Sequence, residues 1–149
     1  MARAWVSHVE SVEISPFKFQ AVLFDMDGVV TKTATIHTIA WKEVFDQLLK
    51  EQTGADFKPF SEGDYLQYVD GKAREDGIRS FLLSRQIELM EGSSEDSPGL
   101  HSVCAVGKLK DARFLTLLHS RGVEVYETTV ALIRSLKLAG IKTAIVTAS

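Results

Sequence analysis

The sequence predicts an α/β protein in which two short parallel strands are separated by a long helical insertion. Three features carry that prediction. An apolar run, Phe19–Phe24, stops abruptly at an acidic pair beginning with Asp25. A helical period occupies most of the middle of the chain. A second β-rich run, Ile141–Val146, follows a helix ended by Gly140. Strand, crossover and strand outline a βαβ unit with most of its residues in the crossover.

Residues 1–18 are mixed and aperiodic and read as a lead-in. Over about 20–25, Ala21-Val22-Leu23-Phe24 is continuous rather than alternating, which predicts a strand covered on both faces. Gly28 breaks the run. From Ala34 to Gln52, Ala40, Trp41, Val44, Phe45, Leu48 and Leu49 share one arc at 100° per residue, with Glu43, Asp46 and Lys50 opposite, so an amphipathic helix is predicted. His37 falls inside the apolar arc, one turn before Trp41, and Gly54 is a helix stop. Ser61-Glu62-Gly63-Asp64 has the form of an N-terminal cap ahead of Tyr65–Val69. Further helices are predicted over about Arg74–Gln86, Lys110–Ser120 and Thr128–Ala139. Glu91–Gly99 is polar and rich in turn formers and reads as a loop.

Composition narrows the function classes. The 149 residues are 45% hydrophobic and 25% charged, ordinary globular usage with enough apolar side chain for a core. The formal net charge of -3 provides no electrostatic footprint for nucleic acid, and no nucleic-acid partner is expected. The single cysteine, Cys104, cannot form an internal disulfide, and no Cys/His group has zinc-ligand spacing. With no signal-peptide core and no membrane-length apolar run, a reduced cytoplasmic setting is expected. Oligomeric state is not legible.

The chemistry is concentrated in Phe24-Asp25-Met26-Asp27-Gly28-Val29-Val30. In open parallel sheets the carboxyl ends of strands border the binding crevice, and residues two apart in extended geometry point the same way. Asp25 and Asp27 would then face one ligand. Paired carboxylates repel at neutral pH, and their hard oxygens suit a divalent cation such as Mg²⁺. One aspartate can attack phosphorus while the other protonates the leaving oxygen, and Gly28 permits a tight turn whose N–H groups approach phosphate. A bare Asp-x-Asp also occurs in solvated turns.

In its context this segment resembles the first motif of the haloacid dehalogenase superfamily, an apolar strand followed by Asp-x-Asp. Ile145-Val146-Thr147-Ala148-Ser149 resembles the second, a Ser or Thr closing the next core strand. The helical insert is similar to the cap of the β-phosphoglucomutase-like branch. The resemblance implies a Rossmann-like parallel-sheet core over 19–32 and 122–149, incomplete in this chain, with an inserted helical cap over 33–121. It implies Mg²⁺ held by Asp25 and Asp27, with Asp25 as nucleophile and Asp27 as general acid/base. Gly28, Thr147 and Ala148 would bind phosphate. Thr33 would sit at the hinge, and His37 and Trp41 at the site entrance. Gly71 and Arg74 match the cap specificity loop, with Lys72 beside them. Lys110, with Lys108 as its rival, lies where the chain returns from cap to core, and Ser149 completes the substrate-side set. Lys32 and Asp111 depart from the usual Asp and Asn, which bears on sugar-phosphate specificity.

The function so implied is phosphoryl transfer through an aspartyl-phosphate, phosphatase or mutase, on a small phosphorylated metabolite such as a sugar phosphate. The resemblance covers 19–149 and stops at the second motif. The third and fourth motifs of relatives lie further along, so the chain reads as the front part of a longer enzyme, nearly inactive alone. Two other readings share these residues: a non-catalytic binding or regulatory domain that keeps the crevice, and an Asp-x-Asp glycosyltransferase. The latter is disfavoured because the acidic pair follows the first strand and cap-like residues come next.

Overall fold

The computed structural model describes residues 12–54 and 57–147. The elements are β1 (Ala21–Phe24), α1 (Ala34–Thr53), α2 (Glu62–Asp64) continuing into a π-helical turn at Tyr65–Val69, α3 (Arg74–Ser84), α4 (Val103–Arg121), α5 (Glu127–Leu138) and β2 (Lys142–Ile145). The strands pair in parallel, Ala21 against Lys142 through Phe24 against Ile145. The Val146 N–H donates to the Phe24 carbonyl at 2.8 Å, so the two strand ends stay side by side where the acidic pair begins.

Apolar side chains gather in two clusters. The larger unites Trp41, Val44, Phe45, Leu48 and Leu49 of α1 with Ile78, Phe81 and Leu82 of α3 and Val103 and Val106 of α4. Phe45, Phe60 and Phe81 meet at its centre with ring centroids 4.3–5.0 Å apart, the spacing at which aromatic quadrupoles attract. The smaller cluster joins Phe24 and Val30 to Leu136 and Ile141. Between them the chain crosses twice, side by side. Thr31 bridges Val125, Lys32 N–H donates to the Glu124 carbonyl at 2.8 Å, and Tyr126 N–H donates to the Val30 carbonyl at 3.0 Å. The Lys32 ammonium reaches the Glu124 carboxylate at 2.8 Å across the same crossing.

Most predicted elements stand within a residue or two, with three corrections. β1 is not covered on both faces: Phe24 is buried but Leu23 is 67% exposed, so apolar continuity here did not mean two-sided burial. α3 ends at Ser84, not Gln86, because Gln86 takes a positive φ of 57°. α4 begins seven residues before the expected start at Lys110. The Ser102 side chain accepts from the Ala105 N–H at 3.0 Å and caps the helix, and packing of Val103, Ala105 and Val106 outweighs the modest helix propensity of that stretch. Lys110 is therefore mid-helix and 5% exposed, not a solvated helix start.

Candidate active site

The end of β1 delivers Asp25 and Asp27 into a cleft of about 760 Å³ between the sheet and the helical insert. Asp25 is exposed, and its carboxylate accepts from the Met26 N–H at 2.7 Å. The chain then turns tightly: Val30 and Thr31 N–H groups return to the Met26 carbonyl at 3.0 and 2.9 Å. Gly28 makes the turn with φ 79°, a region that side chains with a Cβ avoid. Its N–H donates to the Thr31 carbonyl at 2.8 Å, and Gly28 is not among the cleft-lining residues.

Asp27 is held from the first turn of α1. The buried Thr33 hydroxyl donates to the Asp27 carboxylate and lies 2.7 Å from the Thr31 hydroxyl. His37 Nε2 lies 3.4 Å from the same carboxylate oxygen. On the other side of the ring, Lys110 Nζ is 3.0 Å from His37 Nδ1. An ammonium has no acceptor, so Nδ1 accepts and the ring proton sits on Nε2, facing Asp27. Burial, then the Lys110 charge, pushes His37 below its ordinary range and favours the neutral ring. Burial likewise lowers Lys110. Its head lies 5.3 Å from the Trp41 ring centre and 4.9 Å from that of Phe114, within cation–π range. Phe114 stacks on His37 at 4.0 Å.

The cap side of the cleft carries Gly71, Lys72 and Arg74 at the start of α3. Arg74 donates through Nε to Glu75 at 2.9 Å and through Nη1 to Asp111 of α4. Tyr65 borders the same space. Its burial, reinforced by Asp70, pushes the phenol up to about 12. Thr147 lines the cleft beyond β2.

The structure thus brings Asp25, Asp27, His37, Trp41, Gly71, Arg74, Lys110 and Thr147 to one cleft. Thr33 acts from behind, through Asp27. Ala148 and Ser149 lie outside the described residues. Lys108 turns away to the carbonyls of Ser94 and Asp96, whereas Lys110 lines the cleft. Sequence reasoning missed Tyr65, Asp70, Glu75 and Phe114 as lining residues. Phe114 carried a signal, one helical turn after Lys110 within the predicted helix.

An acidic pair at the end of a parallel strand, facing a helical insert across a cleft, is the arrangement set against known proteins. The family model for haloacid dehalogenase-like hydrolases matches residues 19–149, and the chain belongs to that family. A β-phosphoglucomutase of Mycobacterium bovis is 44% identical over 138 residues, which cover 90% of this chain and 53% of that protein. A β-phosphoglucomutase of Bacillus subtilis is 33% identical over 82 residues, covering 55% of this chain and 32% of the other. Among solved structures, CbbY from Rhodobacter sphaeroides in complex with phosphate superposes with a TM-score of 0.60 at 24% identity, covering 87% of this chain and 51% of that one, a likeness of fold. The chain spans about half the length of its Mycobacterium relative.

Proposed function

We propose that the chain serves Mg²⁺-dependent phosphoryl transfer through an aspartyl-phosphate, as a phosphatase or a β-phosphoglucomutase-like enzyme, on a small phosphorylated metabolite, most simply a sugar phosphate. The observation that carries this reading is the convergence of Asp25 and Asp27 from β1 with the buried Lys110 from α4 on one cleft. An Asp25 oxygen attacks phosphorus and the ester P–O bond breaks. The leaving oxygen takes its proton from the Asp27 carboxyl. Asp27 then withdraws a proton from water, or from a second sugar hydroxyl, as that oxygen attacks the acyl phosphate and releases the Asp25 carboxylate. Thr33 and His37 keep Asp27 oriented through both halves. Lys110 and Thr147 face the phosphoryl oxygens, and the helical insert keeps bulk water from the intermediate.

The donor set suits a hard cation: the Asp25 carboxylate and the Asp27 main-chain carbonyl are the oxygens that would hold Mg²⁺. Among the described residues no group of three or more His, Cys, Asp or Glu is placed to hold a metal, so these two provide part of a shell. When bound, the ion offsets charge on the phosphoryl oxygens. No helix among the described residues is long and apolar enough to cross a membrane. A reducing, cytoplasmic setting, in which the lone Cys104 stays a free thiol, and a small phosphorylated metabolite as partner complete the proposal.

Beryllofluoride with Mg²⁺ mimics a phosphorylated aspartate and is read by fluorine NMR. Wild type and Asp27→Asn should both give a bound signal, and Asp25→Asn should abolish it. A signal that survives Asp25→Asn overturns the nucleophile assignment. No bound signal in any variant, with phosphate esters still binding, points to the non-catalytic binding domain.

A further inference from the structure

The cap side of the cleft is balanced in charge. Lys72, Arg74 and Lys110 face it together with Asp70, Glu75 and Asp111. Arg74 is the group best shaped to grip an anion there, because a guanidinium offers a planar fork of donors. That fork already has two carboxylate partners, Glu75 on Nε and Asp111 on Nη1.

The seat that produces this pairing is built into α4. Arg74 lies across Gly107, so closely that a Cβ at position 107 would come within 3.1 Å of its Nε and 3.2 Å of its Cδ. Asp111 stands one helical turn further along the same face and receives the end of the side chain. Asp111 also lies 3.7 Å from the Lys110 ammonium, so one carboxylate touches two of the three cations on this side. A second phosphate entering here would have to unseat Asp111 and then remain beside it, two anions competing for one fork. A neutral, hydroxyl-bearing group meets no such cost: it donates to Asp111 or Asp70 and accepts from an Arg74 N–H those carboxylates leave open.

Resting on the phosphoryl-transfer reading above, we infer that Asp111 is a specificity-determining residue that fits the cap side of the cleft to the neutral, hydroxylated end of a phosphomonoester and selects against a second phosphate. Discrimination here comes from a repulsive element as much as from an attractive one. A mutase must hold a sugar bisphosphate during its cycle, so the same residue tilts the site toward hydrolysis.

The test titrates the purified chain, with Mg²⁺, against glucose 6-phosphate and glucose 1,6-bisphosphate by calorimetry, following the Arg74 Nε–H resonance by NMR. Wild type should bind the monophosphate at least as tightly as the bisphosphate. Asp111→Asn should strengthen bisphosphate binding about tenfold, move the Arg74 resonance, and bring no gain in monophosphate binding. Asp111→Glu should restore the wild-type preference. A tenfold wild-type preference for the bisphosphate, or equal changes for both ligands in Asp111→Asn, overturns the inference and leaves the phosphoryl-transfer reading standing. Failure of wild type to bind either ester removes the inference, and the beryllofluoride signal at Asp25 then decides the phosphoryl-transfer reading by itself. Should Asp111→Asn not fold, the wild-type ratio alone decides.

Discussion

Lys110 illustrates what one residue gains and costs at this site. An ammonium buried against two aromatic rings gives up most of its hydration, and burial lowers its pKa accordingly. Its compensation is partial: a neutral imidazole at 3.0 Å and a carboxylate at 3.7 Å. Replacing such an ion by an apolar side chain of similar volume is commonly neutral or stabilising. Lys110→Met should therefore melt within about 1 kcal/mol of wild type, or higher, while phosphate-ester affinity falls at least about tenfold. Equal affinity in the variant would show that Lys110 is a packing residue. In the sequence Lys110 is the better aligned of two lysines at the return from cap to core, with Lys108 as a substitute, and the alignment does not say which one reaches the cleft. What decided it was helix phase: from a continuous α4, Lys110 faces α1, and Lys108 faces the 93–99 loop.

At the scale of elements, α2 is a three-residue helix that owes its geometry to reciprocal capping. The Ser61 hydroxyl accepts from the Asp64 N–H at 3.2 Å, and the Asp64 carboxylate accepts from the Ser61 N–H at 2.9 Å. Asp64 also receives Arg85 from the end of α3 at 2.9 Å, tying the two segments that lead into the cleft. Burial pushes the Asp64 carboxyl up, but the Ser61 hydrogen bonds and the Arg85 charge outweigh it and leave it below its usual 3.8. The folded chain thus releases this proton more readily than the unfolded one. Its contribution is whole above about pH 4 and is lost as pH falls through the folded value. Asp64→Ala should cost about 1–3 kcal/mol by removing the cap and stranding Arg85, and should flatten the acid limb of a stability–pH profile measured by urea unfolding. An unchanged acid limb would place the linkage elsewhere. This cap was legible because Ser-x-x-Asp is a local signal. The π-helical turn at Tyr65–Val69 was not, since no residue pattern distinguishes it from an α-turn until Val69 packs against Gly77, where a Cβ would meet Val69 Cγ1 at 3.3 Å.

Across the whole molecule the two apolar clusters differ in size and cover. The cap cluster is sealed: Phe45, Phe60, Phe81 and Ile78 have 2% exposure or less. The cluster beneath the sheet has four buried members, while Leu23, Leu138, Ile145 and Val146 are 53–91% exposed. Local opening is easiest where few apolar contacts hold the backbone. Hydrogen exchange at neutral pH should show α1 and α4 amides protected more strongly than those of β1 and β2, and a uniform protection pattern would mean that the parts open as one unit. The doubled crossing at 30–33 and 124–126, pinned by Lys32 and Glu124, is where the two parts connect.

Local rules decided much of this protein in advance. The acidic pair at a strand end, the period of α1 with His37 and Trp41 on its buried arc, and the turn at Gly28 depend on neighbours within a few residues. Those are the distances over which strand pleat, helix pitch and glycine's allowed φ operate. Tertiary structure alone determined that Asp27 is held from α1, that Lys110 rather than Lys108 enters the cleft, and that Arg74 is already engaged by Asp111, 37 residues further along. The last two depend on α4 meeting α1 and α3 face to face, and the phase at which helices meet is set by packing summed over the whole interface, which no single stretch of sequence contains.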